Sequence, residues 1–228
     1  MQILTEELKD RNTSKEADRV EVVYYTDPLC CWSWALEPQL KELKARKGEA
    51  LDWRYCMGGL IPDWNSYHDP VNSISRPTQM GPLWMEVKYK FGVTLNDRIW
   101  FTDPPASSYP ACIAVKTAGL QSAAAAEEYL SLLRKASMED ARNIARKAIL
   151  FEEAEKITVP FDQELFRKDL EADKGVALFR RDLEEIRVLG VQRFPTILMQ
   201  KQGKPGIIMT GFRPVEVLEE ALEKLLEG

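Results

Sequence analysis

Histidine is almost missing from this chain, with His68 the single one in 228 residues. Its absence elsewhere excludes a His-rich metal site and leaves one candidate base for a Ser-His or Cys-His pair. Set among Tyr67, Asp69 and Pro70, His68 reads as a loop residue. Cysteine is scarce too. The four present, Cys30, Cys31, Cys56 and Cys112, form no paired C-x-x-C knuckles, so no metal site is expected. Nor is there a basic surplus: 31 Lys+Arg against 36 Asp+Glu give a net charge of -5, which argues against a nucleic-acid or anionic-membrane partner. No apolar run is long enough to span a bilayer, and MQILTEELKDRNTSKEADR lacks the apolar stretch of a signal peptide. The expectation is a cytoplasmic protein, whose cysteines are free thiols or catalytic groups rather than disulfides.

With 45% hydrophobic and 29% charged residues, the composition is that of a globular chain with a sizeable core. Val20 to Thr26 (VEVVYYT) is β-branched and aromatic, and reads as a buried strand that stops at Asp27-Pro28. A helix follows from about Cys30 and carries Pro38 inside it, where a kink is expected. Leu51 to Met57 alternates, with Leu51, Trp53, Tyr55 and Met57 on one face and Asp52, Arg54 and Cys56 on the other. Gly58-Gly59 ends that strand. From Pro62 to Pro105 mostly loops are expected, with a short helix near Pro82 to Phe91.

Helical signals dominate from Ser107 to about Leu189, where Ser107 or Ser108 can cap and Pro110 suits a first turn. The period then changes. Thr196 to Met199 and Ile207 to Thr210 flank a Gly- and Pro-containing turn and read as a hairpin. A last helix opens at Pro214 with Val217, Leu218, Ala221, Leu222 and Leu225 expected on one stripe. The order predicts an α/β, thioredoxin-like fold with a large helical insertion between its βαβ and ββα halves. The expected divisions are 1–61 for the leader and βαβ half, 62–189 for the inserted block and 190–228 for the ββα half.

Cys30 follows a strand and begins a helix, so its sulfur is expected beside the unpaired N–H groups of the first turn. Such sites lower a thiol pKa to roughly 3.5–7.5 and make the thiolate a nucleophile at neutral pH. The alternative is a small buried residue. The segment YYTDPLCCWSWALEP resembles the active-site segment of DsbA-like proteins of the FrnE-related branch, and GVQRFPTILM is similar to that family's G-V-x-x-x-P-T segment. GFRP, from Gly211 to Pro214, matches the usual opening of the last helix. The resemblance spans nearly the whole chain. It implies that Pro195 is a cis-proline facing Cys30, and that the backbone at Phe194 binds a peptide or thiol beside it, with Cys31, Trp32 and Thr196 lining the same substrate site. Of the six tryptophans, only Trp32 is expected at the exposed active-site turn.

The chain departs from the family at Ser33, where a second cysteine would stand. A dithiol cycle within that turn is therefore unavailable, and adjacent Cys30 and Cys31 could pair only through a strained vicinal disulfide. The reading that follows is a thiol-disulfide oxidoreductase with a single nucleophile, Cys30, to whose sulfur Ser33 donates a hydrogen bond. Its partner is a protein or small-molecule thiol or disulfide. Glutathione is the candidate thiol co-substrate, with no other cofactor expected; Cys56 and Cys112 are the alternative resolving thiols. Cys56 is the better placed, on the less apolar face of its strand. Two other readings stay open. D-P-L-C-x-x-x-W-A-L-E-P also resembles thioredoxin-fold adaptors that present the regulator Spx to a Clp protease. The inserted block and the serine also suit a glutathione-dependent isomerase or kappa-class transferase.

Overall fold

In the computed structural model, residues 19–227 are described, so the polar leader up to residue 18 lies outside the described residues. Strand β1 (Val20–Thr26) leads through a tight turn into helix α1 (Cys31–Lys47), and β2 (Leu51–Met57) returns parallel to β1. A helical block follows: α2 (Met80–Phe91), the short α3 (Ile99–Thr102), α4 (Tyr109–Ala118), α5 (Ala123–Met138), α6 (Lys147–Ala154), α7 (Gln163–Glu171) and α8 (Lys174–Leu189). Strands β3 (Thr196–Gln200) and β4 (Ile207–Thr210) then form an antiparallel hairpin before α9 (Val215–Leu226). The sheet order is β2-β1-β3-β4, with β3 antiparallel to β1. This is the thioredoxin-like arrangement, with the helical block set between its two halves.

The sheet is covered on both sides, which explains why β1 reads as a continuous apolar run with only Glu21 exposed. On one side Val20, Val22 and Tyr24 pack with Leu36, Leu40 and Leu43 of α1 and with Leu218, Leu222 and Leu225 of α9. On the other, Val23, Tyr25 and Cys56 pack with Ile186 of α8 and with Val191, Phe194 and Leu198. A third and larger core joins the block to the start of α1. It includes Leu29, Cys31 and Ala35 alongside Trp84, Trp100, Cys112, Tyr129 and Leu133.

Two details differ from the expected pattern. Pro214 precedes α9 as its cap residue, and the stripe begins at buried Val215, while Val217 points outward. The repeat 215, 218, 222, 225 follows the helical period, whereas Val217 is off that line. Helix α2 begins at Met80, two residues before Pro82, because proline is tolerated in a first turn where its missing N–H has no partner to lose.

Candidate active site

The turn between β1 and α1 is built by Asp27. Its Oδ1 accepts the Leu29 amide at 2.8 Å, and the Cys30 amide donates to its backbone carbonyl at 3.1 Å. This Asx turn leaves Cys30 in extended conformation as the N-cap of α1. Its sulfur accepts the Ser33 amide at 3.4 Å, which satisfies one of the first-turn donors that a serine or aspartate more often caps. The thiol in turn donates to the Phe194 carbonyl at 3.5 Å. The Phe194-Pro195 peptide bond is cis. Cys30, Ser33, Phe194 and Pro195 thus meet at one end of the sheet, although 164 residues separate Cys30 from Phe194.

The loop is held against the second strand by Phe194. A Cβ at Gly58 would lie 2.2 Å from the Phe194 ring, so only glycine allows that ring to seat there. Thr196 is buried; its hydroxyl donates to the Arg193 carbonyl at 2.8 Å and lies 2.9 Å from the Thr210 hydroxyl. Both contacts brace the loop and the hairpin.

Several placements correct the sequence reading. Cys31 turns inward to the large core at 2% exposure, because the second position of this turn faces the block rather than the solvent. Trp32 is half-buried instead of exposed; its ring packs edge-on to Phe91 at 5.5 Å, and Phe91 lies 4.4 Å from Phe212. These rings form an aromatic rim near the start of α1. Cys56 is buried, and its thiol donates to the Asp182 carbonyl at 3.6 Å, because α8 covers the face of β2 that reads as the polar one. Cys112 is buried as well, with its thiol 3.3 Å from Asp27 Oδ2. Neither thiol is open to resolve a mixed disulfide in this conformation.

The thiol chemistry differs from the helix-start expectation. Cys30 is only 5% exposed. Burial pushes its pKa up, Ser33 pulls it down through its side chain and its amide, Asp27 pushes it up, and the Arg134 charge pulls it down. The balance is a thiol raised above its ordinary value. Burial likewise pushes up Cys31, Cys56 and Cys112, with nearby negative groups adding to the effect. All four cysteines are free.

Sequence reasoning missed the polar groups behind the turn. Asp27 is fully buried, yet its Oδ2 accepts the Leu60 amide at 2.7 Å, the Ser108 hydroxyl at 2.8 Å and the Cys112 thiol. Thr26, Glu37 and Arg134 form a second buried set beside Ser33. Asp27 was visible in the D-P-L-C run as the residue that ends the strand. Nothing local marks Arg134 as buried. Among the described residues no group of His, Cys, Asp and Glu could hold a metal ion.

A family model described as thioredoxin matches residues 24–220. The chain belongs to the thioredoxin family. Among its relatives, the ClpXP adapter protein SpxH of Halalkalibacterium halodurans is 26% identical over 219 residues, covering 95% of this chain and 71% of that protein. The thioredoxin-family chain also superposes on a candidate protein disulfide isomerase from Nitrosomonas europaea with a TM-score of 0.77 and 19% identity, over 92% of this chain and 98% of that one. The cytosolic disulfide reductase DsbM of Pseudomonas aeruginosa gives a TM-score of 0.69 and 20% identity over 90% of this chain and 99% of that one, and it is also known with GSH. The likenesses to these solved structures are to the fold.

Proposed function

We propose that this thioredoxin-family protein carries out thiol-disulfide exchange with Cys30 as its single nucleophile, in the cytoplasm. The observation that carries the reading is Cys30 itself: the cap of α1, with its sulfur accepting the Ser33 amide and lying 3.5 Å from the carbonyl before cis-Pro195. The amide at the sulfur favours the thiolate, and the Phe194 backbone edge offers an extended substrate a place beside it. Free thiols suit a reducing compartment.

The chemistry balances in two steps. The Cys30 thiolate attacks one sulfur of a client disulfide, forming a mixed disulfide while the other client sulfur leaves as a thiolate and takes a proton from solvent. A second thiol, as its thiolate, then attacks the client sulfur of the mixed disulfide and releases the Cys30 thiolate. Ser33 excludes an internal partner at the fourth position of the turn, so the second thiol comes from outside. Glutathione is the proposed co-substrate.

Incubation with oxidised glutathione, followed by intact-mass measurement, tests the reading. One glutathione adduct is expected on the native protein, mapping to Cys30, and none after Cys30→Ser with the fold unchanged. An adduct retained in that variant sinks the proposal. The match to adapter proteins over 95% of the chain favours a second reading, in which the same face docks a regulator for delivery to a Clp-type protease. Capture of an Spx-type regulator that persists undiminished in Cys30→Ser, with no glutathione exchange in the native protein, supports that reading instead.

A further inference from the structure

Arg134 lies on α5 in the helical block, yet it reaches the end of β1 and the second turn of α1 and is 2% exposed. Its Nη2 donates to Thr26 Oγ1, and its Nη1 lies 3.3 Å from Glu37 Oε2. Thr26 Oγ1 then donates to Ser33 Oγ at 2.8 Å. The guanidinium carbon sits 5.7 Å from the centroid of the Tyr24 ring.

The direction of this chain, Arg134 to Thr26 to Ser33, is compatible with valence. A guanidinium has donors and no acceptor, so toward Arg134 the Thr26 hydroxyl can only accept. Its one proton is thereby free for Ser33. The Ser33 hydroxyl, having accepted that proton, keeps its own for another acceptor. The sulfur of Cys30 caps the same turn, with the Ser33 amide already aimed at it. We infer that Arg134 is a positioning residue for Cys30: it fixes the polarity of a Thr26–Ser33 hydroxyl relay so that the Ser33 proton is presented to the Cys30 sulfur. The inference rests on the reading of Cys30 as the nucleophile, and it supplies what a serine in place of the second cysteine does there.

The charges around the site agree. Burial alone pushes Glu37 up, but Arg134, the Ser131 hydroxyl and Lys41 outweigh it and hold Glu37 below the usual carboxylate range, as the anion that keeps a buried guanidinium tolerable. Asp27 in the turn before α1 opposes a thiolate at Cys30, while Arg134 and Ser33 favour one. Tyr24 on β1, Cys31 on α1 and Tyr67 in the loop after β2 also face the sulfur. Burial pushes all three up, so each is neutral near pH 7. The loop before β3 presents the Phe194 carbonyl to the same sulfur.

The test is the pH profile of Cys30 alkylation by iodoacetamide, resolved by peptide mass spectrometry, in the native protein and in Thr26→Val, Thr26→Ser and Arg134→Met/Glu37→Leu. The double variant removes both buried charges together, so neither is stranded. Thr26→Val and the double variant are expected to raise the midpoint by about one pH unit, or about tenfold less thiolate near neutrality. Thr26→Ser should keep the native midpoint, and combining the Val and double changes should add little, as for residues acting in one chain. A native midpoint in folded Thr26→Val overturns the inference, whatever the double variant does. A residue that merely supports packing would move the melting temperature and leave the midpoint where it was. A shifted midpoint in a protein that never forms a glutathione adduct keeps the relay and removes the exchange reaction; exchange with an unmoved midpoint does the reverse.

Discussion

Cys30 and Cys112 both lie at the start of a helix, both are tied to Asp27 and both thiols donate to an oxygen, yet the acceptors differ in charge. Cys30 caps α1, accepts an amide proton from Ser33, gives its own proton to the neutral Phe194 carbonyl and binds Asp27 only through the backbone. Cys112, in the first turn and a half of α4, gives its proton toward the Asp27 carboxylate at 3.3 Å. An amide donor favours a thiolate; a carboxylate acceptor favours the thiol. Proximity to a helix end does not by itself make a cysteine reactive. A side-chain carboxyl at one sulfur and a neutral backbone carbonyl at the other separate the two sites.

Removing their shared partner has the largest effect. Asp27→Ala leaves the Leu29 and Leu60 amides and the Cys112 thiol without these acceptors in a buried seam, and leaves the Ser108 hydroxyl only its longer contact to the Ile61 carbonyl. A loss of about 3 kcal/mol is expected from the three donors left unsatisfied, read from the urea midpoint. A loss below about 1 kcal/mol would mean that the seam rearranges easily.

Labelling compares the two thiols directly. At neutral pH, iodoacetamide should modify Cys30 about a hundredfold faster than Cys112 in the folded protein, with Cys112 reacting only through opening of the structure. Peptide-resolved mass spectrometry reads the ratio, and equal rates break the comparison.

Alkaline pH sharpens it further. The folded pKa of Cys112 is raised, so its contribution to stability is present below the unfolded value near 9 and declines as pH rises beyond it. The slope is about 1.4 kcal/mol per pH unit for each such thiol until the folded value is passed. Urea titrations between pH 8 and 10 should show a shallower decline for Cys112→Ser, while the native slope retained in that variant would remove Cys112 from the account. The smallest effect belongs to Cys30→Ser. Serine is a preferred N-cap, so the change should alter stability by no more than about 0.5 kcal/mol while abolishing the glutathione adduct.

The thioredoxin-like order was legible because it is written locally: a buried strand ending at Asp27-Pro28, an alternating strand, a hairpin and an amphipathic last helix. The Cys30 turn and the Pro195 loop carry their own motifs. What sequence reading misses depends on cover supplied from far along the chain. Cys56 alternates onto a face with Asp52 and Arg54, and α8, whose Asp182 lies 126 residues later, turns its site into interior. Arg134 sits in the run SLLRKA, where a charged residue reads as surface; its partners Glu37 and Thr26 lie 97 and 108 residues away. The raised Cys30 thiol has the same cause, since the Phe194 loop that covers it has no local trace at Cys30.

The buried carboxylate of Asp27 also limits how the molecule can move. Its four side-chain hydrogen bonds reach across from the β1–α1 turn to the end of β2 and to the first turn of α4. A hinge between sheet and block would have to pull these donors off a buried acceptor. Sheet and block are therefore joined through one buried side chain, and limited proteolysis of Asp27→Ala should cut between them faster than in the native protein.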